Sequence, residues 1–132
     1  MILSDMTKEI YMDTKKEAKE FGLKVGDILS AGWGYEAEIY DFYEVVGITR
    51  TMIKVRELKK TRAEGESSYP MYYGVLVKPV TEGADRFIGD VITRKPYNYY
   101  QNQAKEHTFL AITSYKYAHL WDGEPCDEYN AH

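Results

Sequence analysis

The stretch Asp41–Leu58 reads DFYEVVGITRTMIKVREL and carries the strongest fold signal in the chain. Its first part, DFYEVVGI, is a nearly continuous apolar and aromatic run, which is typical of a buried strand. In its second part, TMIKVREL, Ile53 and Val55 share one face of a strand, and Lys54 and Arg56 share the other. Because only a Thr-Arg pair separates the two parts, we predict an antiparallel hairpin. We expect its apolar pair to be buried and its basic pair to be exposed.

Other strand and turn signals lie on both sides of this hairpin. Upstream, Val25–Ile28 reads VGDI, and its glycine and aspartate favour a turn into a first strand. Downstream, apolar and aromatic runs predict strands over residues 72–80, 87–94 and 109–120. The polar segment 59–70, between the hairpin and the first of these strands, is predicted to be an exposed loop.

Residues 5–22 carry the signals of an N-terminal helix. A Thr-x-x-Glu capping box begins at Thr14, and Gly22 stands where a C-terminal cap belongs. Residues at helical spacing, among them Ala18 and Phe21, share one face. A helix followed by short strands with hairpin connections predicts an α+β fold, in which the helix precedes a small antiparallel β-barrel that is SH3-like or partly open.

The length of the chain suits one domain. Its 132 residues are enough for one core, and no linker or internal repeat divides them. We therefore expect a single domain over residues 1–132. Its parts are the helix at 5–22, a β-rich body at 25–121 and an acidic tail at 122–132.

Charge and cysteine usage restrict the function classes. The net charge of -4 has the wrong sign for a general nucleic-acid binder. The single cysteine, Cys126, rules out an internal disulfide and favours a reducing compartment. The sequence has neither a secretory signal nor an apolar run long enough to span a bilayer. We therefore expect a cytoplasmic protein with no membrane association.

The residues that carry chemistry in other proteins lack the spacing that chemistry requires. The soft metal ligands, which do not show the short paired spacing of zinc sites, are His107, His119, His132 and Cys126. Cys126 lies among acidic residues, which raise the pKa of a thiol. Gly32–Gly34 lacks the third glycine and the lysine of a phosphate loop. Asp27, Asp41 and Glu44 are interpreted as turn and strand residues. We therefore predict no enzyme activity, no metal and no cofactor.

Aromatic residues in two segments are the candidate partner-binding residues. Trp33 and Tyr35 lie in a glycine-flanked segment predicted to be exposed, where large rings often serve recognition. Tyr99 and Tyr100 form a second group in a segment without a predicted element. A further hypothesis is a nucleotide or small-molecule pocket that combines Trp33 and Tyr35 with Trp121.

A basic strip offers the alternative of nucleic-acid binding. It follows the predicted hairpin and the loop after it, and it consists of Arg50, Lys54, Arg56, Lys59, Lys60 and Arg62. Cations interleaved with aromatic rings are how small barrels hold single strands. A solvated hairpin face explains the same residues, and the negative net charge favours that interpretation.

A set of short motifs brings in a family resemblance. The motifs are VGDI from Val25, GWGY from Gly32, DFYEVV from Asp41, VR from Val55 and WDG from Trp121. Over residues 23–60 and the C-terminal region, this set resembles a family of small proteins encoded by phages, plasmids and integrated elements of bacteria. The resemblance implies an accessory protein of a mobile element in a bacterial host, a class that includes inhibitors of host defence systems, of the anti-CRISPR or another anti-defence type. Our first hypothesis is therefore a non-enzymatic binding protein that contacts a macromolecule, foremost a protein.

Overall fold

The structure, a computed structural model, describes residues 17–99 and 105–130. Its strands pair antiparallel, and in the described part of the chain they are β1 (Ile28–Trp33), β2 (Ala37–Ile48), β3 (Ile53–Leu58), β4 (Lys60–Arg62), β5 (Val75–Pro79), β6 (Ile92–Arg94), β7 (Pro96–Asn98), β8 (Thr108–Thr113), β9 (Lys116–Leu120) and β10 (Cys126–Asn130). Short 3-10 turns lie at Ala18–Phe21, Pro70–Tyr72, Ala84–Arg86 and Lys105–His107. The chain is a small β-rich domain.

The central hairpin forms as its residue pattern predicts. β2 and β3 pair antiparallel along the length of β3. Ile53 and Val55 are fully buried and Lys54 is exposed, so these three expectations are confirmed. The exposure predicted for Arg56 is wrong, because this side chain is half-buried. Its Nε–H donates to the carbonyl oxygen of Gly89 at 2.8 Å.

The strand pairings follow a path that returns to its starting strand. β2 pairs with β1 and β3, β3 pairs with β6, and β7 pairs with β8. β8 pairs with β9, which in turn pairs with β1. Only Lys95 separates β6 from β7, so the chain itself completes the path between β3 and β8. Between these strands lies the main buried cluster, formed by Ala18, Leu23, Leu29, Ala31, Tyr43, Val45, Ile53, Val55, Leu110, Ile112 and Ala118.

A second group of strands, β4, β5 and β10, covers part of the outer side of β2 and β3. We call it the cover layer. β10 joins it to the first layer, because it pairs with β5 along one part and with the start of β2 at its end. A second buried cluster lies between the layers around Phe42, which is fully buried and meets the ring of Trp121 edge-on at 5.9 Å. The segment 122–132, predicted as an acidic tail, thus contains a paired strand.

The predicted α+β class is wrong, because the described residues contain no α-helix. Of the predicted helix at 5–22, residues 5–16 lie outside the described residues, and the remainder forms only the 3-10 turn Ala18–Phe21. The backbone N–H of Ala18 donates to the carbonyl oxygen of Arg50 at 2.8 Å, so the hairpin engages a donor that a helix would use internally. Within the described part, no helix has the length and apolar character needed to cross a membrane.

The strand predicted over residues 109–120 is also wrong, because the chain reverses within it. β8 ends at Thr113 and β9 begins at Lys116, and the two pair as a hairpin. In the turn, the backbone N–H of Tyr115 donates to Oγ1 of Thr113 at 3.3 Å. The strands predicted over 72–80 and 87–94 are shorter than expected, and the predicted loop 59–70 contains β4.

Candidate functional site

Trp33, at the end of β1, is held by an ion pair. Its indole Nε1–H donates to Oδ2 of Asp41 at 2.9 Å, and the same oxygen accepts a hydrogen bond from Nζ of Lys116 at 2.9 Å. The ammonium of Lys116 also lies 5.7 Å from the centroid of the Trp33 ring. Because both side chains of the ion pair are largely buried, the indole is fixed and its one N–H is committed.

The charges beneath Trp33 are balanced. Burial acts to lower the pKa of Lys116, but its hydrogen bonds with Tyr43 and Asp41 raise that pKa above its ordinary value, and the ammonium stays charged. A second cation, Nζ of Lys60, lies 3.7 Å from Oδ1 of Asp41. Asp41 therefore positions Trp33 and is neutralised by its neighbours.

The turn after Trp33 directs Tyr35 outward. Gly34 has a φ angle of 135°, and a Cβ atom there would lie 2.7 Å from the carbonyl oxygen of Ala37, so this position requires glycine. Glu36 also has a left-handed backbone, with φ 50°, which is unfavourable for a residue with a long side chain. As a result, Tyr35 stands 81% exposed at the tip of the turn.

An open cleft of about 420 Å³ is bordered by three aromatic rings. We call it the aromatic cleft, and its lining residues are Trp33, Gly34, Tyr35 and Tyr115. Tyr115 is 63% exposed, and its ring centroid lies 5.9 Å from that of Trp33. Large exposed rings around a concave surface are typical of a recognition site.

Tyr115 is the cleft residue that the sequence reasoning missed. The run 109–120 has the pattern of one apolar strand, and that prediction contains no turn at Tyr115. The available signal is the pair Thr113 and Ser114, whose hydroxyl groups favour a turn. Because β9 begins only one residue later, the turn carries Tyr115 to the ring of Trp33.

The second predicted aromatic group lies elsewhere. Tyr99 packs against Phe109 and His119 with ring centroids 4.4 Å and 5.4 Å away, and its hydroxyl group lies 3.1 Å from Nε2 of His119. Burial lowers the pKa of His119, which favours the neutral ring in this stack. Tyr97 also stacks on Phe109, with ring centroids 5.6 Å apart. Tyr99 is therefore half-buried, and Tyr100 lies outside the described residues.

The basic strip is divided between the two layers. Its exposed members are Arg50, Lys54, Lys59, Lys60 and Arg62. Of these, Lys60 is engaged within the chain, because its Nζ donates to the carbonyl oxygen of Tyr40 at 2.8 Å and lies 2.6 Å from Oε2 of Glu128. Arg56 is bound to the backbone, as described above. Because β3 pairs with β2 and β6 while β4 pairs with β5, the strip does not lie on one strand surface.

The candidate acids are engaged in ion pairs. Arg86 meets Glu44 through two hydrogen bonds of 2.9 Å, and these bonds raise the pKa of Arg86. Asp27 accepts from the backbone N–H of Lys24 at 2.9 Å and pairs with Lys105 at 3.1 Å. Within residues 17–99 and 105–130, no group of three or more His, Cys, Asp and Glu side chains is placed to hold a metal ion.

Trp121 does not line the aromatic cleft. Its Nε1–H donates to the carbonyl oxygen of Glu124 at 2.7 Å, and its ring packs on Phe42 beneath the cover layer. The pocket imagined from Trp33, Tyr35 and Trp121 is therefore not assembled.

Cys126 lies at the start of β10 in an environment that disfavours a thiolate. Burial, followed by the charge of Asp122, raises the pKa of its thiol to about 11. We expect Cys126→Ser to fold normally and to keep full partner binding, because the substitution preserves the shape of a half-buried side chain. A thermal melt and a binding assay check this. A folded Cys126→Ser variant without function would contradict the non-enzymatic interpretation.

No protein-family model, no curated protein and no solved structure matches this chain.

Proposed function

We propose that this chain is a non-enzymatic binding protein that holds a protein partner in the aromatic cleft. The observation that supports the proposal is the contrast between the rings of the cleft. Trp33 is fixed from below by Asp41, whereas Tyr35 and Tyr115 stand 81% and 63% exposed beside it. A rigid ring beside exposed rings loses little conformational freedom on binding, which is the property of an interface anchor.

The polar surroundings of the cleft favour protein over nucleic acid. The indole N–H is committed to Asp41, and Lys116 is neutralised by the same carboxylate, so neither is available to a phosphate group. Glu36, next to Tyr35, is an exposed acid that repels a phosphate backbone. The basic strip gives little support to nucleic-acid binding, because Arg56 and Lys60 already have partners within the chain.

The biological setting of the proposal comes from the motif resemblance. An accessory protein of a phage or other mobile element, acting in the bacterial cytoplasm, has host proteins within reach. An inhibitor of a defence system, of the anti-CRISPR or another type, that acts by contact alone requires tight binding and no chemistry. An aromatic cleft with a fixed anchor suits that requirement.

Tyr35→Ala tests the proposal most directly. We expect its free energy of unfolding to lie within about 0.5 kcal/mol of that of the wild type, because the side chain is exposed. We expect it to bind the partner about 30-fold more weakly, which corresponds to about 2 kcal/mol. The partner is captured from a lysate of the bacterial host and identified by mass spectrometry, and its affinity is then measured by calorimetry.

Tyr97→Ala is the matched control, because Tyr97 is another partly exposed tyrosine and lies on β7, away from the cleft. The control is expected to bind like the wild type. Equal binding by Tyr35→Ala and the wild type would contradict the proposal. Capture of an oligonucleotide with an affinity that falls steeply with salt would favour the nucleic-acid alternative instead.

A further inference from the structure

A second exposed aromatic loop lies between β4 and β5. It spans Tyr69–Gly74, and we call it the tyrosine loop. Its most exposed side chains are those of Met71, at 86%, and Tyr73, at 92%. Large apolar side chains this exposed and this close together are typical of a contact site.

The tyrosine loop is held in place from below. Tyr129 on β10 stacks against Tyr69, with ring centroids 4.1 Å apart, and against Tyr72 at 5.4 Å. Just before the loop, the backbone N–H of Ser68 donates to Oδ2 of Asp127 at 2.7 Å. The loop is therefore preorganised, and its exposed tip is not a consequence of missing contacts at its base.

Tyr73 has an unfavourable backbone conformation. Its φ of 56° is in the left-handed region that glycine adopts freely and tyrosine rarely does. Among the residues that the structure describes, the other non-glycine residue with positive φ is Glu36, in the turn of the aromatic cleft. Strained backbone of this kind is found more often at functional sites than elsewhere.

The aromatic cleft and the tyrosine loop are neighbours. The end of β10 pairs with the start of β2, where Asn130 is opposite Ala37 and Tyr129 is opposite Glu38. Tyr129, the base of the tyrosine loop, therefore lies beside the residues that follow the turn of the cleft.

We infer that the cleft and the tyrosine loop form one docking surface, which contacts a single protein partner with an apolar and basic face. This inference rests on the proposed function. The charge on the surface supports the basic character of the partner, because Glu36 and Glu66 are exposed and Asp127 lies beneath the loop. Arg62, a cation, lines a recess with Glu66 and Pro70. An acidic surface with apolar tips complements a basic, apolar protein face.

Photo-crosslinking from two positions tests the inference. The probe is benzoylphenylalanine, placed at Tyr35 in one variant, at Tyr73 in a second and at Tyr97 in a control, each produced as the full chain in the bacterial host. We expect the first two variants to give an adduct with the same protein and the control to give none. Adducts from position 35 alone, or with different proteins, would overturn the inference and leave the proposed function standing. No adduct from either position would overturn both, and an adduct of two copies of this chain or with lipid would overturn the inference.

Tyr73→Gly separates contact from structure. Glycine relieves the left-handed conformation, so we expect the melting temperature to stay level or rise while the affinity for the crosslinked partner falls at least tenfold. Tyr73→Asn is the matched variant, because asparagine also tolerates this region. Glu36→Lys combined with Glu66→Lys replaces two exposed acids of the surface by cations, so we expect this double variant to bind the basic partner more weakly than the wild type. A lower melting temperature of Tyr73→Gly with unchanged affinity, or tighter binding by the double lysine variant, would refute the inference.

Discussion

Phe42→Ala is expected to lower the free energy of unfolding by about 3–5 kcal/mol. The ring is fully buried between the two layers, where it contacts Leu58, Val77 and Trp121. Its removal takes away both the transfer free energy of the ring and the packing that joins the cover layer to β2 and β3. A loss of this size is a large part of the stability of a small domain, and urea denaturation followed by circular dichroism measures it.

Phe42→Leu is the control for this prediction. Leucine keeps most of the apolar volume, so we expect a loss of stability well below that of alanine. Tyr35→Ala provides the comparison with an exposed ring, for which almost no loss is expected. A loss below about 1 kcal/mol for Phe42→Ala would mean that the cover layer does not depend on this ring.

Trp33→Ala is expected to affect stability and binding together. The side chain is half-buried, so we expect a loss of about 2 kcal/mol of stability, less than for a fully buried tryptophan. Asp41 loses a hydrogen-bond donor, and Lys116 loses the ring beside its ammonium. Without this ring the cleft should bind the partner at least 30-fold more weakly, by about 2 kcal/mol. A thermal melt and calorimetry on the same sample measure both effects.

Trp33→Phe distinguishes the two roles of this residue. Phenylalanine keeps an aromatic face in the cleft but cannot donate to Asp41, so the part of the stability loss that comes from this hydrogen bond remains. We expect lower stability with most of the affinity retained. If Trp33→Ala instead lost about 3–5 kcal/mol of stability and bound the partner normally, Trp33 would be a core residue rather than an anchor.

The local pattern was sufficient to predict the central hairpin. The alternation of Ile53, Lys54 and Val55 predicted both the pairing and the faces, because strand periodicity is a property of neighbouring residues. The helix prediction failed for the opposite reason. Ala18 and Phe21 do share a buried side, but the N–H of Ala18 bonds to Arg50, a residue far along the chain that no local pattern identifies.

The candidate site was predicted only in part. Trp33 and Tyr35 were proposed from the glycines beside them, and the structure places both on the aromatic cleft. Tyr115 was missed because its turn lies within an apolar run. Met71 was missed because it lies between the predicted loop 59–70 and the predicted strand 72–80, and the strand prediction gave Tyr73 no loop position. Pairing of β10 with β2 brings the two aromatic loops together, and only tertiary structure contains that information.

The return of the strand path to its start has a consequence for synthesis of the chain. β1 pairs with β9 through Leu29 and Leu120, and the start of β2 pairs with β10. Strands near the beginning of the chain therefore lack these partners until the end of the chain has been synthesised. During translation, the β2–β3 hairpin can form as soon as it emerges from the ribosome, but neither layer can close until β9 and β10 have been made. Contacts so distant in sequence slow folding, and the apolar face of the hairpin remains accessible to chaperones in the interval.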